Sequence, residues 1–205
     1  MQNSAPPPDQ SQTAPAPVKP HHVCPWWLGY LLASPLRRIE YQPAKVLRVH
    51  VRPGMTVLEP GPGMGFFTLE LARLVGSSGR VIAVEIQPRM LDRLRRRAAK
   101  AGVLDRLDTR LAAPDSLGIA DLAGAVDFTL AFFMVHELPA AAPFFREVAQ
   151  ASKPGARLLF AEPKGHVTAP VFDAELQAAR DAGFALLESP SLRRSRAALL
   201  EKVGA

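Results

Sequence analysis

The residues best suited to chemistry lie in Val57-Leu58-Glu59-Pro60-Gly61-Pro62-Gly63-Met64-Gly65-Phe66-Phe67, where an apolar run enters a glycine-rich bend and leaves as a helix-like segment. Glycine tolerates positive φ and lets a ligand lie against the backbone. A bend of this kind sits at the carboxyl end of a strand, where open α/β sheets bind their ligands. The spacing is G-x-G-x-G, with Phe66 where a dinucleotide fingerprint would carry its third glycine, and no Gly-Lys-Ser/Thr follows, so a phosphate loop is excluded. Twenty residues beyond Gly65, the β-prone run Arg80-Val81-Ile82-Ala83-Val84 ends in Glu85. A carboxylate there is suited to accept both hydroxyl protons of a ribose. The simpler alternatives are a structural turn and a solvated or helix-capping acid.

Two further clusters carry acid-base or recognition chemistry. His136, in Met134-Val135-His136-Glu137-Leu138, follows an apolar run and has the side chain whose ordinary pKa suits a general base. Its alternative role is to hold a neighbouring loop. Glu137 fits helix capping as well as a pocket. Glu162-Pro163-Lys164-Gly165-His166 follows another apolar run, and Glu162, Lys164 and His166 are candidate substrate contacts, against a plain turn. Upstream, Trp26, Trp27 and Tyr30 in Cys24-Pro25-Trp26-Trp27-Leu28-Gly29-Tyr30 could form a lid over an apolar acceptor or seal a sheet edge.

The elements that must position these residues alternate from residue 54 onward, short β-rich runs with longer helical ones, which is the pattern of an α/β sheet flanked by helices. Strands are expected at Met55 to Glu59, Arg80 to Glu85, Leu107 to Leu111, Val126 to Phe132, Arg157 to Ala161, Phe184 to Glu188 and Ser195 to Val203. Helices are expected at Phe66 to Val75, Pro88 to Ala101, Pro143 to Ala151 and Val171 to Ala182, with Leu117 to Ala123 a short helix or loop. Trp26 to Leu36 and Pro43 to Val49 form a helical cap over about residues 21–52.

The chain has 205 residues, 48% hydrophobic, enough for one domain over residues 21–205. Residues 1–20, rich in Pro, Ala, Gln and Ser, read as a disordered tail. No apolar run reaches the roughly 20 residues of a membrane span. With Cys24 as the only cysteine, no internal disulfide and no cysteine-rich metal cluster can form, and a cytoplasmic location is expected. The formal net charge of +6 raises nucleic-acid binding. However, Arg93, Arg95, Arg96, Arg97 and Lys100 share a segment with Met90, Leu91, Leu94 and Ala98, which fits a solvated helix face, so nucleic acid is disfavoured as a partner.

Taken in order, Glu59-x-Gly61-x-Gly63-x-Gly65, Val84-Glu85, Ala113-Pro114-Asp115-Ser116, Asp127-Phe128-Thr129-Leu130-Ala131, His136-Glu137 and Lys153-Pro154-Gly155 resemble the motifs of class I methyltransferases dependent on S-adenosylmethionine (SAM). Within them the chain is similar to the small-molecule type, including the ubiquinone and menaquinone methyltransferases. The resemblance implies a seven-stranded, Rossmann-like sheet of order 3-2-1-4-5-7-6 with the seventh strand antiparallel. It implies SAM as cofactor and a small, apolar or aromatic methyl acceptor. Gly61, Gly63 and Gly65 would bring backbone against the methionine portion, Glu59 would hold its ammonium, and Glu85 would bind the ribose. Ile86 would lie on the adenine, Asp115 would accept from its amino group with Ser116 assisting, and Ala131 and Phe132 would floor the sulfonium. Pro60 and Pro62 depart from the usual loop and remove two amide donors. An RNA or protein methyltransferase, or a non-catalytic nucleic-acid-binding protein on this fold, is the alternative, although no Asn-Pro-Pro-Tyr tetrapeptide follows the fourth strand.

Overall fold

The computed structural model describes residues 41–204. Cys24, the aromatic cluster of Trp26, Trp27 and Tyr30, the tail, and all of the cap before Tyr41 lie outside the described residues. The elements, in order, are α1 (Pro43–Leu47), β1 (Thr56–Pro60), α2 (Thr68–Val75), β2 (Arg80–Glu85), α3 (Pro88–Lys100), β3 (Leu107–Leu111), β4 (Val126–Phe132), α4 (Ala141–Ala151), β5 (Ser152–Pro163), α5 (Ala169–Asp181), β6 (Phe184–Glu188) and β7 (Ser195–Lys202).

The strands form one seven-stranded sheet in the order β3-β2-β1-β4-β5-β7-β6. The pairs β1–β2, β1–β4, β2–β3 and β4–β5 are parallel, and β7 runs antiparallel to both β5 and β6. The chain reverses its direction of travel across the sheet between β1 and β4. That switch point opens a crevice at the strands' carboxyl ends, and Glu59, Glu85 and Phe132 all lie at that edge.

Period-two alternation divides the buried side chains between two cores. On β4, Phe128, Leu130 and Phe132 join Val57, Val81 and Leu159 beneath Leu71 and Val75 of α2. Ala131 turns to the opposite face with Leu58, Ile82 and Phe160, covered by Phe145 and Val148 of α4 and by Phe172 and Leu176 of α5. The central strands are therefore apolar on both faces, as helix-covered parallel strands must be. Helix α3 buries Met90, Leu91, Leu94 and Ala98 and leaves Arg93, Arg95, Arg96 and Lys100 exposed. Among the described residues no helix is long and apolar enough to cross a membrane.

Some boundaries differ from the sequence expectation for local reasons. Helix α2 starts at Thr68 because Phe66 and Phe67 belong to the bend, where their rings meet edge to face at 5.0 Å and are buried. The Lys153-Pro154-Gly155 segment is a bulge inside β5 and not a turn before it. Ser152 already pairs with Val126, and regular pairing resumes at Phe128 with Arg157. Gly155, at φ +75°, supplies the left-handed residue that such a bulge uses. The Leu117 to Ala123 region holds a single 3₁₀ turn at Ala120–Leu122.

Candidate functional site

The glycine bend is held by packing that leaves no room for side chains at two of its positions. Gly61 has φ +66°, and a Cβ there would lie 2.9 Å from Met134 Cβ. Gly65 has φ +82°, and its Cβ would lie 2.3 Å from Leu94 Cδ1. Gly63, at φ +54°, has space beside it, so its requirement is conformational. The Gly61 amide donates to Val84 O at 2.9 Å, which ties the bend to β2. Arg97 of α3 donates to Met64 O, fastening the outer side of the bend.

Glu85 completes this geometry. One carboxylate oxygen accepts the Gly63 amide and the other the Gln87 amide, each at 3.0 Å. Glu85 is buried, and that burial raises its pKa against the opposing pull of the Gln87, Gly63 and Ile86 amides. Gly61, Gly63 and Glu85 line one cavity of about 280 Å³ at the carboxyl edge of the sheet. The bend and the acid thus face a common cleft. Each Glu85 oxygen retains acceptor capacity beyond the amide it already holds.

Ile86, Asp115, Ser116 and Glu137 also line this cavity. The Asp115-Ser116 loop is anchored from α4: the Ser116 hydroxyl donates to Glu147 Oε2 at 3.1 Å, and the Leu117 amide to the same oxygen at 3.0 Å. Glu59 and Gly65 do not line the cavity. Glu59 is 4% exposed, and its Oε2 is buried without a hydrogen-bond partner. Burial pushes its pKa up to about 8, with Thr68 pulling down and Glu85 adding a smaller upward push.

Ala131 and Phe132, expected at the cavity floor, do not reach the cavity lining. Ala131 and Phe132 are still within β4, so alternation sends Ala131 into the α4 core and Phe132 against Phe67, ring to ring at 4.5 Å. Neither lines the cavity; Phe133 and Met134 do. Phe133 takes the left-handed conformation at φ +63° while its amide donates to Ala161 O at 2.8 Å. This is a strained position for an aromatic residue, and it is where the chain leaves the strand and turns toward the cleft.

His136 lies beside the cavity and off its lining, on the side toward β5. Its Nδ1 pairs with Glu162 Oε2, while Glu162 Oε1 accepts the Val135 amide at 2.8 Å. The His166 ring stands 6.0 Å from that of His136. Lys164 is exposed, and its backbone amide is bound to Arg194 O. Sequence reasoning missed Met90, Phe144 and Glu147 as cavity residues. The Glu147 position, on the helix after the fourth strand, carries no local motif. It missed Tyr41 too, whose hydroxyl donates to Arg193 O at 2.7 Å while its ring meets Phe132 and Phe133 edge-on.

Residues 58–160, from β1 through most of β5, match the family described as methyltransferase domain. The chain belongs to the methyltransferase domain family. SAM is the methyl donor of that family. The chain is similar to the ubiquinone/menaquinone biosynthesis C-methyltransferase of Klebsiella pneumoniae, 31% identical over 112 residues that cover 55% of this chain and 44% of that protein. It is also similar to a probable cobalt-precorrin-6B C(15)-methyltransferase (decarboxylating) of Saccharolobus solfataricus, 33% identical over 73 residues, 36% of this chain and 37% of that one. The chain thus spans less than half the length of these curated relatives. In fold it is similar to a SAM-dependent methyltransferase from Aquifex aeolicus, with a TM-score of 0.78 at 24% identity, covering 87% of this chain and 98% of that one.

Proposed function

We propose that this protein transfers a methyl group from SAM, in line, to a small, apolar or aromatic acceptor. The observation that carries the reading is the Glu85–Gly63 contact on the wall of one cleft, because it puts a carboxylate with spare acceptor capacity directly beside a bare backbone bend. The residues present fit SAM on structural grounds. A Cβ at Gly61 would displace Met134 from the cavity wall, and Glu59, two residues before Gly61 with one buried oxygen unpartnered, is the candidate to neutralise an ammonium group.

When bound, SAM supplies an electrophilic methyl carbon on a positively charged sulfur. The chain's own residues then act mainly by positioning. Glu85 would hold the ribose hydroxyls through its remaining lone pairs, Ile86 would lie against the adenine, and Asp115 would accept from the adenine amino group. Ser116 steadies that loop through Glu147. Phe133 and Met134, which line the cavity, would help to exclude water from the reacting carbon. Glu59 offers its charge through the bend, and His136 is the candidate base at the acceptor side. The small-molecule acceptors in the names of the two curated relatives support an acceptor of that class.

The test is calorimetric titration with SAM, followed by incubation of labelled SAM and a cell extract with the protein. Saturable binding and label in a low-molecular-weight product are expected. Glu85→Ala should weaken SAM binding by roughly 10²–10⁴-fold, the equivalent of two charge-assisted hydrogen bonds at about 1.5–3 kcal/mol each. Unchanged affinity would remove the ribose assignment. Label in RNA or protein, or salt-sensitive nucleic-acid binding without SAM uptake, would replace the small-molecule reading.

A further inference from the structure

The cleft does not account for a second group of titratable side chains, on the β5 side of the β4 end. Glu162 is fully buried at the carboxyl end of β5. Burying a carboxylate completely is costly unless its oxygens are satisfied, and both are: one by the Val135 amide, the other by His136 Nδ1. The amide fixes the carboxylate and the carboxylate fixes the ring. An ionised carboxylate can only accept, so the proton of neutral His136 must sit on Nδ1, and Nε2 is left as the basic nitrogen.

Among the described residues, the charged groups acting on this ring are Glu162 from β5, Glu137 from the same turn and Glu175 from α5, with His166 6.0 Å away. Burial works to lower the His136 pKa, but the hydrogen bond and charge of Glu162, helped by Glu137 and Glu175, carry it above its ordinary value. Glu175 is itself buried with Oε2 unpartnered, and its pKa is raised to about 7 by burial and by Glu162. Two residues before His136, Met134 lines the SAM cavity, and Glu137 lines it one residue after. The pair therefore adjoins the cavity on its β4–β5 side.

We propose that Glu162 is the positioning residue of a proton-accepting pair, holding His136 with Nε2 free to take a proton from the acceptor. The acceptor is then one whose methylation releases a proton, a phenol or an enol, in contrast to a thiolate. This rests on the methyltransferase reading. In the step, the acceptor O–H proton passes to His136 Nε2 and an oxygen lone pair forms the bond to the methyl carbon. The methyl–sulfur bond breaks with its electron pair staying on sulfur, which becomes a neutral thioether. The imidazolium is balanced by Glu162 and returns its proton to water after product leaves.

The test uses the full chain without ligand, labelled with ¹⁵N in its histidines, with His136→Asn to assign the resonance. Wild-type His136 is expected to be protonated on Nδ1 when neutral. In Glu162→Gln the side-chain oxygen keeps the Val135 amide, so the NH₂ faces Nδ1, the proton moves to Nε2, and the titration midpoint falls by about one pH unit or more. An unchanged tautomer and midpoint overturn the proposal. Should Glu162→Gln not fold, Glu162→Asp keeps the charge at longer range and must lower the midpoint, and no shift there overturns it equally. SAM titration of the same proteins separates the two readings: absent binding to the wild type sinks the methyltransferase reading and leaves the tautomer result standing. With labelled SAM, transfer to catechol should fall about 100-fold in Glu162→Gln at unchanged SAM affinity. Equal losses toward thiophenol, or no transfer by SAM-bound wild type to any phenol or enol probe, overturn the acceptor class.

Discussion

Glu59 should make the ligand-free protein less stable as pH rises, and Glu59→Gln should abolish that loss. The acid is 4% exposed with an unpartnered oxygen, and burial lifts its pKa from 4.5 to about 8. Its folded pKa lies above the unfolded one, so the folded state binds the extra proton. Its contribution to stability is complete below pH 4.5 and is lost as pH climbs toward 8. At about 1.4 kcal/mol per pH unit, the folded state is disfavoured by roughly 3 kcal/mol at pH 7 and roughly 5 kcal/mol above pH 8. Glutamine keeps the shape and does not titrate. The variant should match the wild type near pH 4.5 and exceed it increasingly above, by roughly 6–12 °C in Tm at pH 7 for a chain of this size. The assay is urea unfolding of both proteins at pH 5, 7 and 8.5 without SAM, where Glu175 cancels in the difference and the coupling of Glu85 to Glu59 is the smaller contribution beside burial. Parallel stability curves would refute the reasoning, because they would mean that Glu59 is solvated or paired. The same substitution should weaken SAM binding, so that stability and affinity move in opposite directions.

Gly65→Ala combines a left-handed residue with a Cβ 2.3 Å from Leu94 Cδ1, and should cost about 2–4 kcal/mol in urea unfolding; a loss under about 0.5 kcal/mol would show that α3 yields easily. Glu147→Ala removes the acceptor of the Ser116 hydroxyl and the Leu117 amide, and should speed hydrogen exchange at Leu117 by roughly 10-fold while leaving exchange in β1 and β2 unchanged. Unaltered exchange at Leu117 would mean that the loop holds its shape without α4.

The sheet was legible because its strands obey simple rules. Val126 to Phe132 and Arg80 to Glu85 are apolar on both faces and end where the sequence says they should. The bend and Glu85 could be paired in advance, because a strand-turn-helix unit followed by a second parallel strand must bring their ends together. Legibility failed where a contact runs from a helix to a distant loop or where one residue leaves the regular conformation. Glu147 reaches the Ser116 loop across 31 residues of sequence, and nothing in Phe144-Phe145-Arg146-Glu147 announces that role. Phe133 adopts φ +63° although aromatic residues disfavour it, so no propensity rule could have placed Phe133 and Met134 on the cavity lining and kept Ala131 and Phe132 off it. The register of β5 was hidden similarly, since Lys-Pro-Gly reads as a turn until the pairing of Ser152 with Val126 makes it a bulge.

Four buried acids, Glu59, Glu85, Glu162 and Glu175, lie at or near the carboxyl edge of a sheet in a protein whose net charge is positive. Glu162 is matched by His136 and an amide. Burial raises the pKa of Glu59, Glu85 and Glu175. Folding alone would favour replacing them by neutral side chains of the same volume. The arrangement becomes favourable once a cation enters the cleft, since a positive charge near Glu59 and Glu85 draws both toward their ionised forms and offsets the burial that raised them. A ligand carrying both an ammonium and a sulfonium group answers that need more fully than a neutral or anionic one. The acids that weaken the free protein are thus the same ones that would select its cofactor.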